Sequence, residues 1–329
     1  MECISNKHSS VPFILLILLC PLVRCQLSYD FYLATCPTLT HVVRSTLVLA
    51  MFQEPRIAAS LLRLHFHDCF ANGCDGSVLL DDTGNFTGEK TAVPNRNSIR
   101  GFEVIDVIKY KIERECPSTV SCADILALVA REAVNLSIGP YWQPALLGRR
   151  DGTTASFNEA SELPSPFDTL QNNTNKFISK GLDIKDLVVL SGAHTIGFAH
   201  CSTFKQRLFN FSGTGKPDPS LDPSLLQNLQ RLCPDNSSDS NLAPLDAITT
   251  NLFDNTYYKN IVNKLGLLHT DEALMSHNIT ASLVIKYSKR PSGELCFYKD
   301  FDASLEKMSL IGVLTGQFGE IRKNCRVVN

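Results

Sequence analysis

Two histidines one residue apart, in the stretch RLHFHDCF from position 63 to 70, are the first residues whose types and spacing suggest chemistry. On a strand, His65 and His67 would share a face and could bind one zinc ion. The preceding residues instead have the apolar spacing of a helix, with Ala58, Ala59, Leu61, Leu62 and Phe66. Residues two apart on a helix point about 200° apart, which disfavours zinc. Arg63 and His67, four apart, share a face and form the predicted reactive pair.

The loop that follows this helix, in HDCFANGCDGSVLL, is rich in oxygen ligands. Asp68, Asp75 and Ser77 supply hard side-chain oxygens, and the glycines allow backbone carbonyls to turn inward, as in calcium-binding loops. Cys69 and Cys74 bracket the loop and could close it. The spacing is not that of an EF-hand, and most Asp/Gly loops are simple turns, so the pattern leaves both interpretations open.

A third histidine, His194, lies in LSGAHTIG at the end of an apolar segment, DIKDLVVLSGAHTIG, that predicts a helix ending near Gly197. A histidine at such a position is usually a hydrogen-bonded core residue or a helix cap. Its position alone therefore does not predict a metal ligand.

Residues 1–25 have the pattern of a secretory signal peptide. Lys7 and His8 precede the apolar run VPFILLILLCPLV, which is too short to span a bilayer comfortably. Without these residues the chain has 29 basic and 32 acidic residues, since Lys7, Arg24 and Glu2 are removed. This near-neutral balance excludes a strongly basic nucleic-acid surface, and no later stretch is apolar enough to span a membrane. We therefore expect an exported, soluble chain from Gln26 onward.

Nine of the twelve cysteines remain after the signal, which suggests four disulfides and one odd thiol in an oxidising compartment. Spacing alone cannot choose among the pairings. Six Asn-x-Ser/Thr triplets fit a secreted glycoprotein, although each can equally be unused. These triplets begin at Asn85, Asn135, Asn172, Asn210, Asn236 and Asn278.

Apolar residues at helical spacing dominate the chain, whereas strand-like alternation is scarce. Helices are predicted over THVVRSTLVLAMFQ, residues 56–70, GFEVIDVIKYKIEREC, SCADILALVAREAVNL, and residues 255–264 and 282–289. Ser121 is a predicted N-cap, with Asp124 completing a capping-box spacing. Loops are predicted over residues 71–98, 148–168 and 212–222. The predicted fold class is mainly α.

Seven blocks in order resemble the plant secretory (class III) haem peroxidases, from Gln26 to Asn329. They are LLRLHFHDCFANGCDGSVLLDD, EKTAVPNRNSIRGFEVID, VSCADILALVARE, GRRDG, LSGAHTIGFAHC, FDNTYY and LTGQFGEIRKNCRVVN. The resemblance implies one haem peroxidase domain over residues 26–329, a two-lobed helical fold with very little β structure and haem b (protohaem IX) between the lobes. It also implies an enzyme that reduces hydrogen peroxide and oxidises phenolic or other small aromatic donors in one-electron steps.

On the peroxide side, the resemblance gives His67 the role of general base and then general acid, which is worth roughly 10²- to 10⁴-fold. Arg63 would stabilise negative charge as the O–O bond breaks. Asn95 would accept the other ring proton of His67, supported by Glu89, and Phe66 would shield the iron.

On the opposite side, His194 Nε2 would bind the haem iron, with Asp271 accepting the proton of Nδ1. Arg56 and Ser98 match residues that hold the haem propionates. Pro164 matches the proline of the aromatic donor site.

The resemblance further implies two calcium ions and four disulfides. The first ion would be bound by Asp68, Ala71, Gly73, Asp75 and Ser77, and the second by Thr195, Asp246, Thr249, Leu252 and Asp254. The disulfides would be Cys36–Cys116, Cys69–Cys74, Cys122–Cys325 and Cys201–Cys233. Cys296 would remain unpaired.

The amino-acid sequence differs from the usual family sequence at two places. Lys289, Arg290, Pro291 and Cys296 are unusual, and so is Glu272, which replaces the common Gln after the proximal acid. None matches a catalytic position.

The leading hypothesis is a secreted, N-glycosylated, monomeric peroxidase of the apoplast or cell wall, active in wall cross-linking or peroxide removal. No extension follows NCRVVN, which makes sorting to the vacuole a less favoured prediction than export to the wall. A catalytically silent wall-binding protein on the same scaffold is the competing hypothesis, and it predicts loss of Arg63, His67, His194 or Asp271. All four are present.

Overall fold

The computed structural model describes residues 27–84, 86–138, 143–236 and 239–329. The predicted signal peptide and Asn85 lie outside these residues. The prediction of a mainly α fold is confirmed. The helices are α1 (Leu39–Gln53), α2 (Ile57–Ala71), α3 (Phe102–Glu115), α4 (Cys122–Ile138), α5 (Phe157–Ser161), α6 (Leu170–Ser179), α7 (Ile184–Ser191), α8 (Lys205–Phe209), α9 (Pro223–Leu232), α10 (Thr256–Val262), α11 (His269–Ala273), α12 (Asn278–Ser288) and α13 (Ser292–Met308).

Strand structure is limited to one short antiparallel pair in the described residues, β1 (Phe198–His200) and β2 (Leu242–Pro244), with Ala199 opposite Ala243. Short 3₁₀ turns cover Ser77–Leu79, Gly192–Thr195, Cys201–Thr203, Phe211–Gly213 and Leu274–Ser276. The helical spacing of the apolar residues therefore predicted the fold class correctly.

Helix α4 is the centre of the main core, because α1, α2 and α3 all pack against it. Every residue of α4 from 122 to 135 is buried, including polar and charged ones such as Asp124 and Arg131. A smaller core, which includes Phe204, Leu208, Leu229 and Leu267, lies beneath the β pair. Helix α2 packs against α4 and carries Arg63 and His67 on another face.

Ser121 caps the N-terminus of α4 as predicted, but the prediction of a capping box with Asp124 is wrong. Ser121 Oγ accepts a hydrogen bond from the Asp124 N–H at 3.1 Å. The Asp124 carboxylate does not return to Ser121. It accepts from Tyr32 Oη at 2.8 Å and from Arg149 Nη1 at 3.0 Å. The buried Arg149 needs a carboxylate partner. Asp124 therefore pairs with Arg149 instead of forming the capping box with Ser121.

Helix α7 ends earlier than predicted, at Ser191, and the chain continues as the 3₁₀ turn Gly192–Thr195. A Cβ on Gly192 would lie 2.5 Å from both the Tyr258 hydroxyl and the Phe297 ring. Only glycine allows this close approach, so the tight turn that carries His194 is fixed by packing.

All four disulfides implied by the resemblance are present in the structure. Cys296 is free and half-buried on α13. No helix within the described residues is long and apolar enough to cross a membrane.

Candidate active site

His67 is held by a short chain of hydrogen bonds beside α2. Its Nδ1 lies 2.5 Å from Asn95 Oδ1, and Asn95 Nδ2 donates to the Glu89 carbonyl at 2.8 Å. The second bond identifies which amide atom is the oxygen, so Nδ1 must carry the proton and Nε2 the lone pair. Glu89 therefore supports Asn95 through its backbone.

The electrostatic environment keeps His67 neutral. The side chain is buried, and burial followed by the nearby charge of Arg63 lowers the pKa of His67 well below its usual value. At neutral pH the free Nε2 is therefore available as a base.

Arg63 lies one turn before His67 and is fixed by three acceptors. Its guanidinium donates to the Ser98 carbonyl, the Pro94 carbonyl and Ser98 Oγ, each at 3.0 Å. The side chain is open to solvent, yet burial by the surrounding protein lowers the pKa of Arg63 to about 10. The Arg63 side chain therefore lies in a cleft, where solvent reaches it although protein atoms are close on several sides. At neutral pH it remains a cation.

His65 points away from this cleft, as the helical spacing predicted. Its Nε2 lies 2.9 Å from Ser309 Oγ, and the side chain is buried. Within the described residues, the one group with metal-ligand spacing is His65 with Cys69 and Cys74. These two cysteines form a disulfide and offer no thiolate. Among the described residues, no group with metal-ligand spacing contains both His65 and His67.

His194 is held in the same manner as His67, but by a carboxylate. Its Nδ1 lies 2.9 Å from Asp271 Oδ1, which also accepts from the Tyr257 hydroxyl at 2.9 Å. Asp271 Oδ2 accepts from the Leu268 N–H at 3.3 Å. The His194 side chain is 37% exposed, whereas that of Asp271 is 4% exposed. The ring proton is thus directed at Asp271, and Nε2 is left free as a ligand atom.

Tyr257 was missed by the sequence analysis as a member of this group. It lies in the FDNTYY block, which was used only for the family resemblance. Burial and the adjacent Asp271 charge raise the pKa of Tyr257 well above its usual value. Its hydroxyl therefore stays protonated and donates to the carboxylate.

The segment after His194 meets α2 on the face that carries Arg63 and His67. A Cβ on Gly197 would lie 2.9 Å from the Ala59 Cβ. Ala59, Arg63 and His67 are successively four residues apart and share one helix face. The contact therefore joins the His194 segment to this face of α2.

These features fit a haem group. A neutral imidazole with a free, accessible Nε2 and a carboxylate on Nδ1 is a suitable iron ligand, and a base with a fixed cation lies on the facing helix.

The other residues assigned around the haem lie near α2. Phe66 is half-buried, with its ring centroid 5.6 Å from that of His67. The Arg56 guanidinium lies over the Phe198 ring at 5.1 Å, just beyond the His194 turn. Ser98 contacts Arg63 as described above. Pro164 is half-buried and follows α5, which packs against α2.

The first predicted calcium site is a concentration of buried carboxylates at the end of α2. Asp68, Asp75 and Glu89 are all buried, and burial raises the pKa of each, that of Glu89 to about 7. Ser77 Oγ and Glu89 Oε2 are buried without a hydrogen-bond partner among the described residues. Unpartnered oxygens beside clustered carboxylates fit a calcium ion, which would neutralise them.

The two carbonyl ligands implied for this site already accept one hydrogen bond each. The Ala71 carbonyl accepts from Lys180 Nζ at 3.0 Å, and the Gly73 carbonyl accepts from the Asp75 N–H at 2.8 Å. A carbonyl oxygen has two lone pairs, so each retains capacity for a cation.

The residues of the second predicted calcium site also converge. Thr195 Oγ1 lies 3.3 Å and Thr249 Oγ1 3.2 Å from Asp254 Oδ1, and Thr249 Oγ1 lies 3.2 Å from Asp246 Oδ2. Both carboxylates are buried, and Asp254 Oδ2 has no hydrogen-bond partner in the described part of the chain. Leu252 lies on the same loop, with its N–H donating to the Thr249 carbonyl at 2.9 Å. This donor set also fits calcium.

Glu272, the unusual neighbour of Asp271, accepts a hydrogen bond at Oε1 from the Gly266 N–H at 2.9 Å. Burial raises its pKa to about 7, against the lowering effect of the buried Arg207. A carboxyl group that titrates near neutrality therefore lies next to the acceptor of His194.

Comparison with known proteins agrees with this geometry. The peroxidase family model matches residues 43–290. Peroxidase 10 of Arabidopsis thaliana is 57% identical over 304 residues, covering 91% of this chain and 86% of the relative. Peroxidase N of Armoracia rusticana is 49% identical over 330 residues, covering 99% and 98%. Peroxidase 54 of Arabidopsis thaliana is 51% identical over 305 residues, covering 92% and 85%.

Proposed function

The chain belongs to the plant (class III) peroxidase family, and from that premise we propose that Arg63, His67 and His194 form its haem site. As a member of this family, the protein is a haem enzyme that reduces hydrogen peroxide and oxidises donor molecules.

The bound haem supplies the electrons that cleave the O–O bond and recovers them singly from two donor molecules. His67 moves the proton. Its free Nε2 takes a proton from one oxygen of hydrogen peroxide and returns it to the departing oxygen, which leaves as water. The Asn95 hydrogen bond to Nδ1 keeps the accepting lone pair on Nε2 throughout.

Arg63 stabilises the negative charge that develops on the departing oxygen. Its hydrogen bonds to Pro94 and Ser98 hold the cation in place before the reaction, so no reorganisation is needed. Because the pKa of Arg63 stays near 10, the charge is present at every physiological pH.

His194 Nε2 would bind the haem iron. Asp271 polarises the imidazole by accepting the Nδ1 proton, and Tyr257 fixes the carboxylate. A more electron-donating ligand favours the oxidised states of the iron that the cycle requires.

The cofactor set in this proposal is haem b with two calcium ions. Arg56 and Ser98 would hold the propionates, and the two clusters of buried oxygen ligands would bind the calcium ions. The buried oxygens of Ser77, Glu89 and Asp254 that accept no hydrogen bond among the described residues support the two ions.

The proposed donors are small phenols that give one electron at the haem edge near Pro164. Phe167, three residues after that proline, and Val93 are exposed and offer apolar contact surface for a donor. An open edge of this kind accepts many aromatic donors, which fits roles in wall cross-linking and in peroxide removal.

We further propose that the protein is secreted to the apoplast as a monomer carrying N-glycans. The signal-like residues 1–25, the four disulfides and the exposed triplets support export. Asn135 is a poor glycan acceptor, because it is buried on α4 and its Nδ2 donates to Glu132 Oε1 at 3.1 Å.

The observation that carries the proposal is the pair of imidazoles with Nδ1 fixed by an oxygen acceptor, His67 by Asn95 and His194 by Asp271. The test is an absorption spectrum of the purified protein, followed by addition of hydrogen peroxide and a simple phenol. We expect a Soret band and peroxide-dependent oxidation of the phenol. A colourless protein would contradict the proposal. A haem-bearing protein that leaves the phenol unchanged would favour the silent wall-binding protein.

A further inference from the structure

Residues 290–298, which differ from the usual family sequence, contact the loop of the second calcium site. Arg290 Nη2 lies 3.5 Å from Asp254 Oδ2, and Arg290 Nε lies 3.5 Å from Asn255 Oδ1. From the same segment, the Tyr298 hydroxyl donates to the Phe253 carbonyl at 3.1 Å. Residues 290–298 therefore cover the part of the loop that presents Asp254.

The two oxygens of Asp254 have different surroundings. Oδ1 accepts from Thr195 and Thr249 and from the Thr256 N–H at 2.7 Å, so its capacity is used within the protein. Oδ2 is buried and has no hydrogen-bond partner among the described residues. Oδ2 is therefore the oxygen left for a cation, and Arg290 forms an ion pair with it at 3.5 Å without donating a hydrogen bond.

The guanidinium of Arg290 is exposed enough to move when a calcium ion binds at Asp254. Its side chain is 56% exposed, and its Nε lies 3.3 Å from Glu294 Oε2. Its charge still acts on this region, because it contributes, after burial, to lowering the pKa of Lys259. The exposed guanidinium therefore forms ion pairs with both Glu294 and Asp254.

We propose that Arg290 competes with calcium for Asp254 and weakens binding at the second site. The proposal rests on the second calcium site of the proposed function. With calcium bound, the arginine and the ion repel each other. With calcium absent, the arginine supplies part of the missing positive charge to a carboxylate that would otherwise be buried alone.

The test is a calcium titration of the purified haem-bearing full chain in calcium buffers, with bound metal measured by atomic emission and the melting temperature by calorimetry. For Arg290→Gln we expect roughly threefold to tenfold tighter calcium binding at the second site, the effect of one partly screened charge on a dication. The difference in melting temperature between the calcium-free and calcium-loaded protein should also be larger than in the wild type.

Two variants serve as matched controls. Arg290→Lys keeps the charge and should bind calcium as the wild type does. Lys289→Gln removes the same charge from the neighbouring exposed residue and should change the affinity by less than about twofold, because exposed charges interact weakly. An affinity in Arg290→Gln that is unchanged or weaker than in the wild type would overturn the proposal.

Asp254→Asn separates this inference from the proposed function. Loss of one calcium ion per chain in this variant, with an unchanged affinity in Arg290→Gln, would overturn only the role of Arg290. An equal calcium content in the wild type and Asp254→Asn would remove the site itself, and the inference with it.

Discussion

At the scale of single residues, hydrogen-bond partners distinguish the reactive histidines from the structural one. His67 and His194 each direct Nδ1 at an oxygen that can only accept, so Nε2 is free in both. His65 is buried against Ser309 and has no role at the cleft. Helical spacing alone was sufficient to separate His65 from His67, because their side chains point in nearly opposite directions.

The partners themselves could not be found by spacing. Asn95 is 28 positions from His67, and Asp271 is 77 positions from His194. Their assignment came from the family resemblance. Tyr257 and Arg290 received no role because their partners, Asp271 and Asp254, lie 14 or more positions away and the resemblance assigned these two residues no function.

Replacing Asp271 by Asn should weaken the electron donation of His194. The amide still offers an acceptor oxygen but no negative charge, so we expect a more positive haem reduction potential and a peroxide reaction about 10- to 100-fold slower. Spectroelectrochemistry and stopped-flow absorbance measure the two quantities. Tyr257→Phe, which removes one donor to the same carboxylate, should have a smaller effect. An unchanged potential in Asp271→Asn would contradict the assigned role.

Glu272 should make stability depend on pH. Its pKa is about 7 in the folded chain against an ordinary value of 4.5, so the unfolded chain releases this proton first as the pH rises. The residue therefore lowers the free energy of unfolding progressively between about pH 4.5 and pH 7. Glu272→Gln keeps an acceptor for the Gly266 N–H but cannot ionise. We expect it to match the wild type at pH 4 and to be more stable at pH 8.

Denaturant unfolding at a series of pH values measures this difference. Glu162→Gln, at an exposed residue, is the control and should show no such trend. A Glu272→Gln variant whose advantage does not grow with pH would refute the prediction.

At the scale of elements, the first four helices were predictable, whereas α13, which is as long as α4, was missed along with several short helices. α1 to α4 begin and end within one or two residues of their predicted bounds, because each buries a stripe of apolar side chains with helical period. α5 lies inside a predicted loop, since five residues are too few to show a period. α9 was overlooked although Asp222 caps it and Pro223 occupies its first turn.

The calcium sites were predictable only in part. Asp68, Asp75 and Ser77 were recognised as oxygen ligands from the sequence, but the loop pattern did not exclude a simple turn. The second site joins the 3₁₀ turn at Thr195 to residues more than 50 positions later, and only the resemblance could indicate it.

Removal of calcium with a chelator should lower the melting temperature by roughly 5–10 °C and reduce peroxidase activity. The physical reason is that clustered buried carboxylates lose their counter-charge, and Thr195 adjoins the iron ligand. Calorimetry and phenol oxidation measure the two effects. Added calcium should restore both, whereas magnesium, which prefers fewer ligands at shorter distances, should not. A protein indifferent to the chelator would contradict both sites.

At the scale of the whole molecule, the disulfides close loops of very different length. Cys122–Cys325 spans 203 residues and joins the start of α4 to the C-terminal segment. Cys201–Cys233 spans 32 residues within the smaller core. The number of disulfides was predictable from the cysteine count, whereas the pairing required the family.

Loss of the longer link should destabilise the protein more than loss of the shorter one. The chain-entropy model gives about 5 kcal/mol for the Cys122→Ser/Cys325→Ser double variant and about 4 kcal/mol for Cys201→Ser/Cys233→Ser. Guanidinium unfolding of the haem-bearing protein measures both. The reverse order of stability would show that native-state effects, rather than loop closure, dominate here.

The most direct test of the central claim is the stopped-flow rate of the reaction of the haem-bearing protein with hydrogen peroxide. His67→Leu should retain the Soret band and react roughly 10²- to 10⁴-fold more slowly than the wild type. His65→Gln, on the same helix but outside the cleft, should react within about threefold of the wild type. A His67→Leu variant that binds haem and reacts at the wild-type rate would contradict the account.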